Sequence, residues 1–211
     1  MVTLFSYCIP HDTGAAPNPF WGICTLVICK PKIRGIAEIG DWIVGTGSKN
    51  SPVGDMSGRV VYVMKVTEKL TMEQYDTFTQ QYLPEKVPDW SSPDPRRRVG
   101  DSIYDFSCTP PRMRQSVHSG KDLEKNLKRD ISGRNALLSN YFWYFGHKAC
   151  KLPDNLQQIG IQSPNHRSNL NDSYIEKFLE WLDGLGLEPN RLYGRPQKEL
   201  FKGSRICCEC S

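Results

Sequence analysis

The chain has 211 residues, of which 38% are hydrophobic, and a mean hydropathy of −0.50, which suits one domain with a wet surface. Its 27 basic and 23 acidic residues leave a net charge of +4, too mild to demand a polyanionic partner. No run approaches the ~18 apolar residues of a membrane helix, and the opening Met-Val-Thr-Leu-Phe-Ser-Tyr lacks the basic and long apolar regions of a leader, so a cytoplasmic protein with no membrane partner is expected.

Residues 1–8 alternate as an edge strand or the first strand of a barrel does, with Val2, Leu4 and Ser6 on one face. A loop over 11–22 carries His11, Asp12, Gly14, Pro17, Asn18 and Pro19 and ends in Phe20-Trp21. Residues 23–29 are apolar enough for a buried strand or a short helix, and periodicity does not choose between them. Lys30, Lys32 and Arg34 then lead into a Gly40-Asp41 turn. Trp42 opens a short strand over 42–44, a glycine-rich loop follows, and 59–68 is a long strand rich in Val60, Val61, Tyr62, Val63, Val66 and Thr67. Gly-Asp before an apolar strand with a valine-rich partner is how small barrels of the PUA/EVE kind lay out their central hairpin, and it is also an ordinary turn. The expected class is α+β: a PUA/EVE-like small β-barrel with flanking helices and long loops.

Residues 71–81 show Tyr75, Phe78 and Tyr82 at helical spacing behind Thr71 and Glu73, a short capped helix. The stretch 83–113 holds six prolines and a second Gly-Asp unit, Gly100-Asp101, so loops dominate it. Residues 136–146 are the most apolar stretch of the second half. A helix is clearest over 172–185, with Ile175, Phe178, Leu179 and Leu182 on one face, Asp172 as N-cap, and Gly184 and Gly186 at its end. Beyond 189 the pattern weakens. The chain reads as a single domain, 1–211, with a flexible tail from about 190.

Eight cysteines without a leader point to reduced thiols. Cys24 and Cys29 are irregularly spaced for zinc, and Cys207, Cys208 and Cys210 crowd the end without a Cys-x-x-Cys partner, so neither a metal nor a cofactor is expected. A nucleophilic reading takes Cys24 as thiolate, His11 as base and Asp12 as its orienter; the alternative is an inert buried thiol. The Lys30, Lys32 and Arg34 cluster, the arginines at 96–98, and Arg112 and Arg114 suit phosphate contacts or a solvated surface. His166-Arg167 at a helix entry suits phosphate or plain capping. Phe20, Trp21 and Trp42 border Gly- or Pro-rich loops and are candidates for stacking on a base. The expected ligand set is Asp12, Asn18, Phe20, Trp21, Thr25, Lys30, Arg34, Trp42, His166 and Arg167, in a pocket between 11–25 and 40–48.

Several of these residues form longer motifs. His11-Asp12-x-Gly14-x-Ala16-Pro17-Asn18-Pro19-Phe20-x-Gly22-x-Cys24-Thr25-Leu26, Cys29-Lys30-Pro31-x-Ile33-Arg34 and Gly40-Asp41-Trp42-Ile43 resemble the second of the nucleotide modification associated domain families. Tyr62-Val63-Met64-Lys65-Val66, Lys86-x-Pro88, Gly100-Asp101-x-Ile103-Tyr104 and Phe142-x-Tyr144-Phe145-Gly146 with Pro153 extend the resemblance over almost the whole chain. One departure stands at 164–167, where Pro-Asn-His-Arg replaces a glycine-rich Gly-His-basic turn. The resemblance implies association with bacterial and phage systems that modify DNA bases. Three readings follow: recognition of a modified base or nucleotide, with modified nucleotide or nucleic acid as partner; an enzyme that modifies or processes a nucleobase or nucleotide; or a protein-interaction subunit of a modification or defence complex.

Overall fold

The computed structural model describes residues 2–118, 123–160, 166–167 and 171–203. In chain order the elements are β1 (Leu4–Ile9), β2 (Cys24–Leu26), α1 (Pro31–Ile36), β3 (Trp42–Gly47), β4 (Arg59–Lys65), β5 (Glu68–Thr71), α2 (Met72–Tyr82), α3 (Pro95–Arg98), β6 (Tyr104–Asp105), β7 (Arg112–Met113), α4 (Leu123–Ile131), β8 (Asn135–Ser139), β9 (Phe142–Tyr144), β10 (Cys150–Lys151), β11 (His166–Arg167), α5 (Ile175–Asp183) and β12 (Arg191–Leu192). The α+β class is the expected one.

The main sheet runs β11-β1-β3-β4-β9-β12, with β10 also on β4. The expected hairpin is there, pairing Trp42 with Lys65 through to Gly45 with Tyr62, and a bulge follows at Gly45/Thr46. Gly45 is required: a Cβ at this position would overlap the Ile9 and Tyr62 side chains. Residues 59–68, expected as one strand, are broken between β4 and β5. The hydrogen bonds Lys65 N–H to Tyr141 O, 3.0 Å, and Thr67 N–H to Leu138 O, 2.9 Å, carry the β4–β9 pairing past this bend into a second sheet, β2-β8-β5.

The two sheets cup one core in which Phe5 and Tyr7 of β1 meet Cys24 and Leu26 of β2, together with Tyr62, Met64, Leu137 and Tyr144. A closed PUA/EVE-like barrel is nevertheless not formed among the described strands. Closure would need β2 on the free edge of β1, but β1 already has β3 on one side and β11 on the other. For the same reason β1 is an interior strand, not an edge, and all six of its residues are buried. The alternate side chains of β3, β4 and β9, among them Trp42, Val44, Val63 and Trp143, face an outer layer closed by Phe178 and Leu182 of α5. Full burial of a side chain such as Phe178 is worth about 1.5–3 kcal/mol relative to exposure.

Local signals explain the helices. α2 has the capping box expected at Thr71, although its partner is Gln74 and not Glu73: Gln74 N–H donates to Thr71 Oγ1 at 3.1 Å, and Thr71 N–H donates to Gln74 Oε1 at 2.8 Å. Asp172 does not cap α5; its carboxylate accepts the Leu4 N–H at 3.0 Å and ties the helix entry to β1. Within 191–203, where a flexible tail was expected, Gly194, Pro196, Gln197 and Phe201 are buried and residues 198, 199, 202 and 203 are exposed. Phe201 is fully buried and stacks on Phe20 with ring centroids 5.8 Å apart. The cysteines at 207, 208 and 210 lie outside the described residues.

Candidate functional site

β1 ends where a loop, 10–16, turns away from the sheet, and the start of α1 comes up beside it. Between them lies an open cleft of about 850 Å³, lined by Tyr7 to His11, Thr13 and Ala16 on one side and by Cys29 to Lys32 on the other, with Val117, His118 and Arg129 completing the wall. Its described lining carries Lys30, Lys32, Arg129, His11 and His118 and no carboxylate. The side chains on the lining are therefore basic, with the buried Asp130 carboxylate behind them, 3.5 Å from Arg129 Nε.

The wall at Cys29 and Lys30 is unusual in its backbone. Both residues are left-handed, with φ of 60° and 44°, a conformation that is costly for residues with a Cβ and persists where the surroundings dictate it. Those surroundings are Asp130 and Arg34. The Cys29 N–H donates to Asp130 Oδ1 at 2.9 Å, and the Cys29 carbonyl accepts from Arg34 Nε at 2.8 Å. The buried Arg34 guanidinium also donates to the carbonyls of Asn135, 2.6 Å, and Asp130, 2.5 Å. Arg34 is thus committed to main-chain carbonyls and does not line the cleft, as its place in a basic cluster had suggested. Lys30 arches back over the Tyr7 ring, its Nζ 4.7 Å from the centroid, and burial lowers its pKa.

Opposite Lys30, the Cys29 Sγ lies 3.9 Å from His118 Nε2. Burial pushes the Cys29 thiol up to about 11, with Asp130 acting in the same direction, and burial lowers the His118 pKa below the usual imidazole value. At neutral pH the pair is a thiol beside a neutral imidazole. Beneath the cleft, Tyr7 and Tyr62 share a hydrogen bond between their hydroxyls at 2.9 Å.

The residues expected at the site divide into three groups. His11 and Lys30 line the cleft. Asp12 sits immediately behind it, buried, accepting from the Tyr144 hydroxyl at 2.5 Å and from Gly14 N–H at 3.1 Å; burial raises its pKa to about 6 against the lowering effect of these bonds. The others lie elsewhere. Trp42 stacks on Trp143, centroids 6.4 Å apart, in the outer layer on the opposite face of the sheet. Phe20 is core, and Trp21 lies under the Arg96 guanidinium at 4.5 Å. Cys24 is fully buried, which drives its thiol far above the ordinary range. Arg167 pairs with Ser6 in the sheet and donates to Gln158 O at 2.6 Å; the His166 side chain lies outside the described structure. Asp12, Asn18, Lys30 and Trp42 do not share one cavity.

Asn18 and Thr25 belong to a buried network built on Lys86, which the sequence offered only as part of the Lys86-x-Pro88 motif and without a role. Lys86 Nζ is fully enclosed and faces four acceptors: Asn18 O at 2.9 Å, Asn18 Oδ1 at 2.8 Å, Ile23 O at 2.8 Å and Thr25 Oγ1 at 3.0 Å. The Thr25 hydroxyl donates to Asp101 Oδ2 at 2.5 Å, and Tyr75 donates to Asp101 Oδ1 at 2.7 Å. Burial lowers Lys86 to about 8 and raises Asp101, each partly opposed by the other's charge. The network pins the 11–25 loop against the 86–101 segment. Cys29, His118 and Arg129 were also missed as site residues: they are brought to the cleft from three separate stretches, and only His11, Lys30 and Lys32 marked the place.

No match is found among curated proteins or among solved structures. The model of the family described as nucleotide modification associated domain 2 matches residues 1–203, and the chain belongs to that family.

Proposed function

We propose that the cleft at the end of β1 binds a nucleotide, with its phosphate against Lys30, Lys32 and Arg129 and its base against the Ile9, Ala16 and Val117 side of the wall. The observation that carries this reading is the composition of the lining: two lysines, an arginine, two histidines and no carboxylate around about 850 Å³. Clefts of this size suit small ligands, and a few converging polar groups on a partly apolar wall fix their orientation. The family description supports a nucleotide as the ligand class, and a modified nucleotide or base of a bacterial or phage DNA-modification system is the narrower reading we adopt. The burial of Tyr7 and Tyr62 at the base of the cleft supports this reading.

The test is isothermal titration of the protein with nucleoside mono- and triphosphates, with the unphosphorylated nucleosides as controls. Phosphorylated ligands are expected to bind more tightly, and affinity should fall as salt rises. Changing Lys30, Lys32 and Arg129 together to Gln should weaken phosphorylated ligands and flatten the salt dependence. Equal affinity for nucleoside and nucleotide, or binding untouched by the triple change, would remove the cleft as the phosphate site.

A further inference from the structure

We propose that Cys29 is a nucleophile and His118 its base, and that together they add a thiol reversibly to C6 of the pyrimidine ring of a nucleotide held in this cleft. The inference rests on the nucleotide reading above and adds a reaction to it. Both side chains line the same cleft, with Sγ and Nε2 3.9 Å apart, close enough to become a hydrogen bond once a ligand settles the imidazole. The Cys29 backbone is held in its left-handed conformation from both sides by Asp130 and Arg34, so the sulfur is positioned by buried groups and not by a free loop. Cys24, the thiol that sequence reading paired with His11, has no such access.

The resting protonation states give each residue its part. Asp130, Arg129, Lys30 and Arg34 face Cys29, and Asp130, Arg129 and Lys198 face His118. Because burial outweighs the nearby cations, the thiol rests protonated and its proton must leave as the sulfur attacks. His118 is neutral and can accept it; the burial that keeps it neutral also weakens it as a base, so the transfer is uphill at rest and is completed only as the sulfur bonds to C6. In the step, the S–H proton passes to His118 as sulfur bonds to C6. The C5=C6 electron pair moves to C5 and the C4 carbonyl as an enolate, and the imidazolium then returns its proton to C5. The sum is addition of S–H across C5=C6, with no oxidant, reductant or leaving group. Among ring carbons of the common bases, pyrimidine C6 is the one that accepts a thiol in this way, conjugated as it is to the C4 carbonyl. When the adduct instead loses its original C5 hydrogen to solvent and the resulting enolate expels the thiolate, which takes up a solvent proton, the nucleotide is restored with its C5 hydrogen exchanged for one from solvent.

That exchange is the assay. The protein is incubated with dUMP in D₂O and the H5 resonance is followed by NMR, while dUMP affinity is measured in parallel by titration. The wild-type protein should speed loss of H5 well above buffer. Cys29→Ala and Cys29→Ser should bind dUMP and return exchange to the buffer rate, and His118→Gln should slow it on the order of a hundredfold, the scale of a lost general base. A ligand-free readout guards against variants that disturb the cleft: the rate of Cys29 alkylation by iodoacetamide, located by peptide mass spectrometry. It should fall in His118→Gln at pH 7, with the gap closing as pH rises and the thiol ionises unaided. Bound dUMP without exchange above buffer, or an alkylation rate indifferent to His118, overturns the pair and leaves the nucleotide cleft standing. Failure of every nucleotide to bind overturns both.

Discussion

Replacing Lys86 with Met tests the buried network that shapes the loop behind the cleft. Met matches the lysine in length and fills the same volume, so the change removes charge and hydrogen bonds more than packing. It leaves the Ile23 carbonyl without its donor, takes one donor each from Asn18 O and Thr25 Oγ1, and leaves the buried Asp101 without its cation. Lys86 and Asp101 are linked through Thr25 and not by a direct ion pair, so the loss is that of the buried groups left unpaired, about 1–3 kcal/mol, and urea unfolding at pH 7 should show a loss of that order. Adding Asp101→Asn should recover part of it, because the uncompensated carboxylate is then gone. The pH dependence supplies a second measure. Lys86 is lowered from 10.5 to about 8 in the folded state, so between those values the unfolded chain holds more protons and stability rises with pH. Because each state is only partly titrated at one end of that range, the gain from pH 8 to pH 10 is about 2 kcal/mol, less than two full pH units at 1.36 kcal/mol each. Taken as wild type minus Lys86→Met, the difference cancels the thiols and tyrosines common to both proteins. A loss below about 1 kcal/mol at pH 7, or parallel stability curves from pH 8 to pH 10, would refute the network as the fastener of this loop.

Asp12→Asn should remove a slope at acid pH. Its folded pKa near 6 lies above the ordinary 3.8, so the native state holds the extra proton and wild-type stability falls by about 3 kcal/mol as pH rises through that window; urea midpoints at pH 4 and pH 7 should draw together in the variant. Gly45→Ala forces a methyl into Ile9 and Tyr62 and should destabilise by about 1–3 kcal/mol, read by thermal or urea unfolding. Phe201→Ala strips the ring stacked on Phe20 and should cost about 3–5 kcal/mol, a loss that a loose tail would not produce.

What the sequence made legible was local. The Thr71 cap, the valine-rich β4 and the apolar face of α5 are each set by residues within a few positions of one another, and each was found in its expected place. The path of residues 23–29 was open because a short apolar run fits either structure; pairing of Cys24 with Ser139 and Leu26 with Leu137 decides for a strand. Contacts between distant stretches were not legible. Lys86 lies 68 positions from Asn18, and His118 lies 89 from Cys29. Trp42 shows the same limit in another form. Alternation along a strand separates its two faces, but which face meets the cleft and which meets a helix depends on α5, more than a hundred residues away. Arg34 looked like a surface cation because Lys30 and Lys32 are close in sequence, yet one helical turn carries it inward to carbonyls of residues 130 and 135.

The segment from His11 to Arg34 then divides its labour by burial. Asp12, Asn18, Thr25 and Arg34 are each buried, and each spends its polar atoms on other parts of the chain: Tyr144, Lys86, Asp101 and the carbonyls around Asp130. Buried polar groups must be satisfied in this way, since an unpaired one costs about 1–3 kcal/mol. The groups left facing the cleft are their neighbours: His11 and Thr13 on either side of Asp12, and Cys29, Lys30 and Lys32 before Arg34. A residue that anchors the loop and a residue that meets a ligand therefore alternate along the same few positions. Substituting the anchors should act on stability first and on binding only through the shape of the loop, whereas substituting Lys30, Lys32 or His118 should act on binding or chemistry with little change in folding. Reading the motif by residue type alone merges the two sets; their burial separates them.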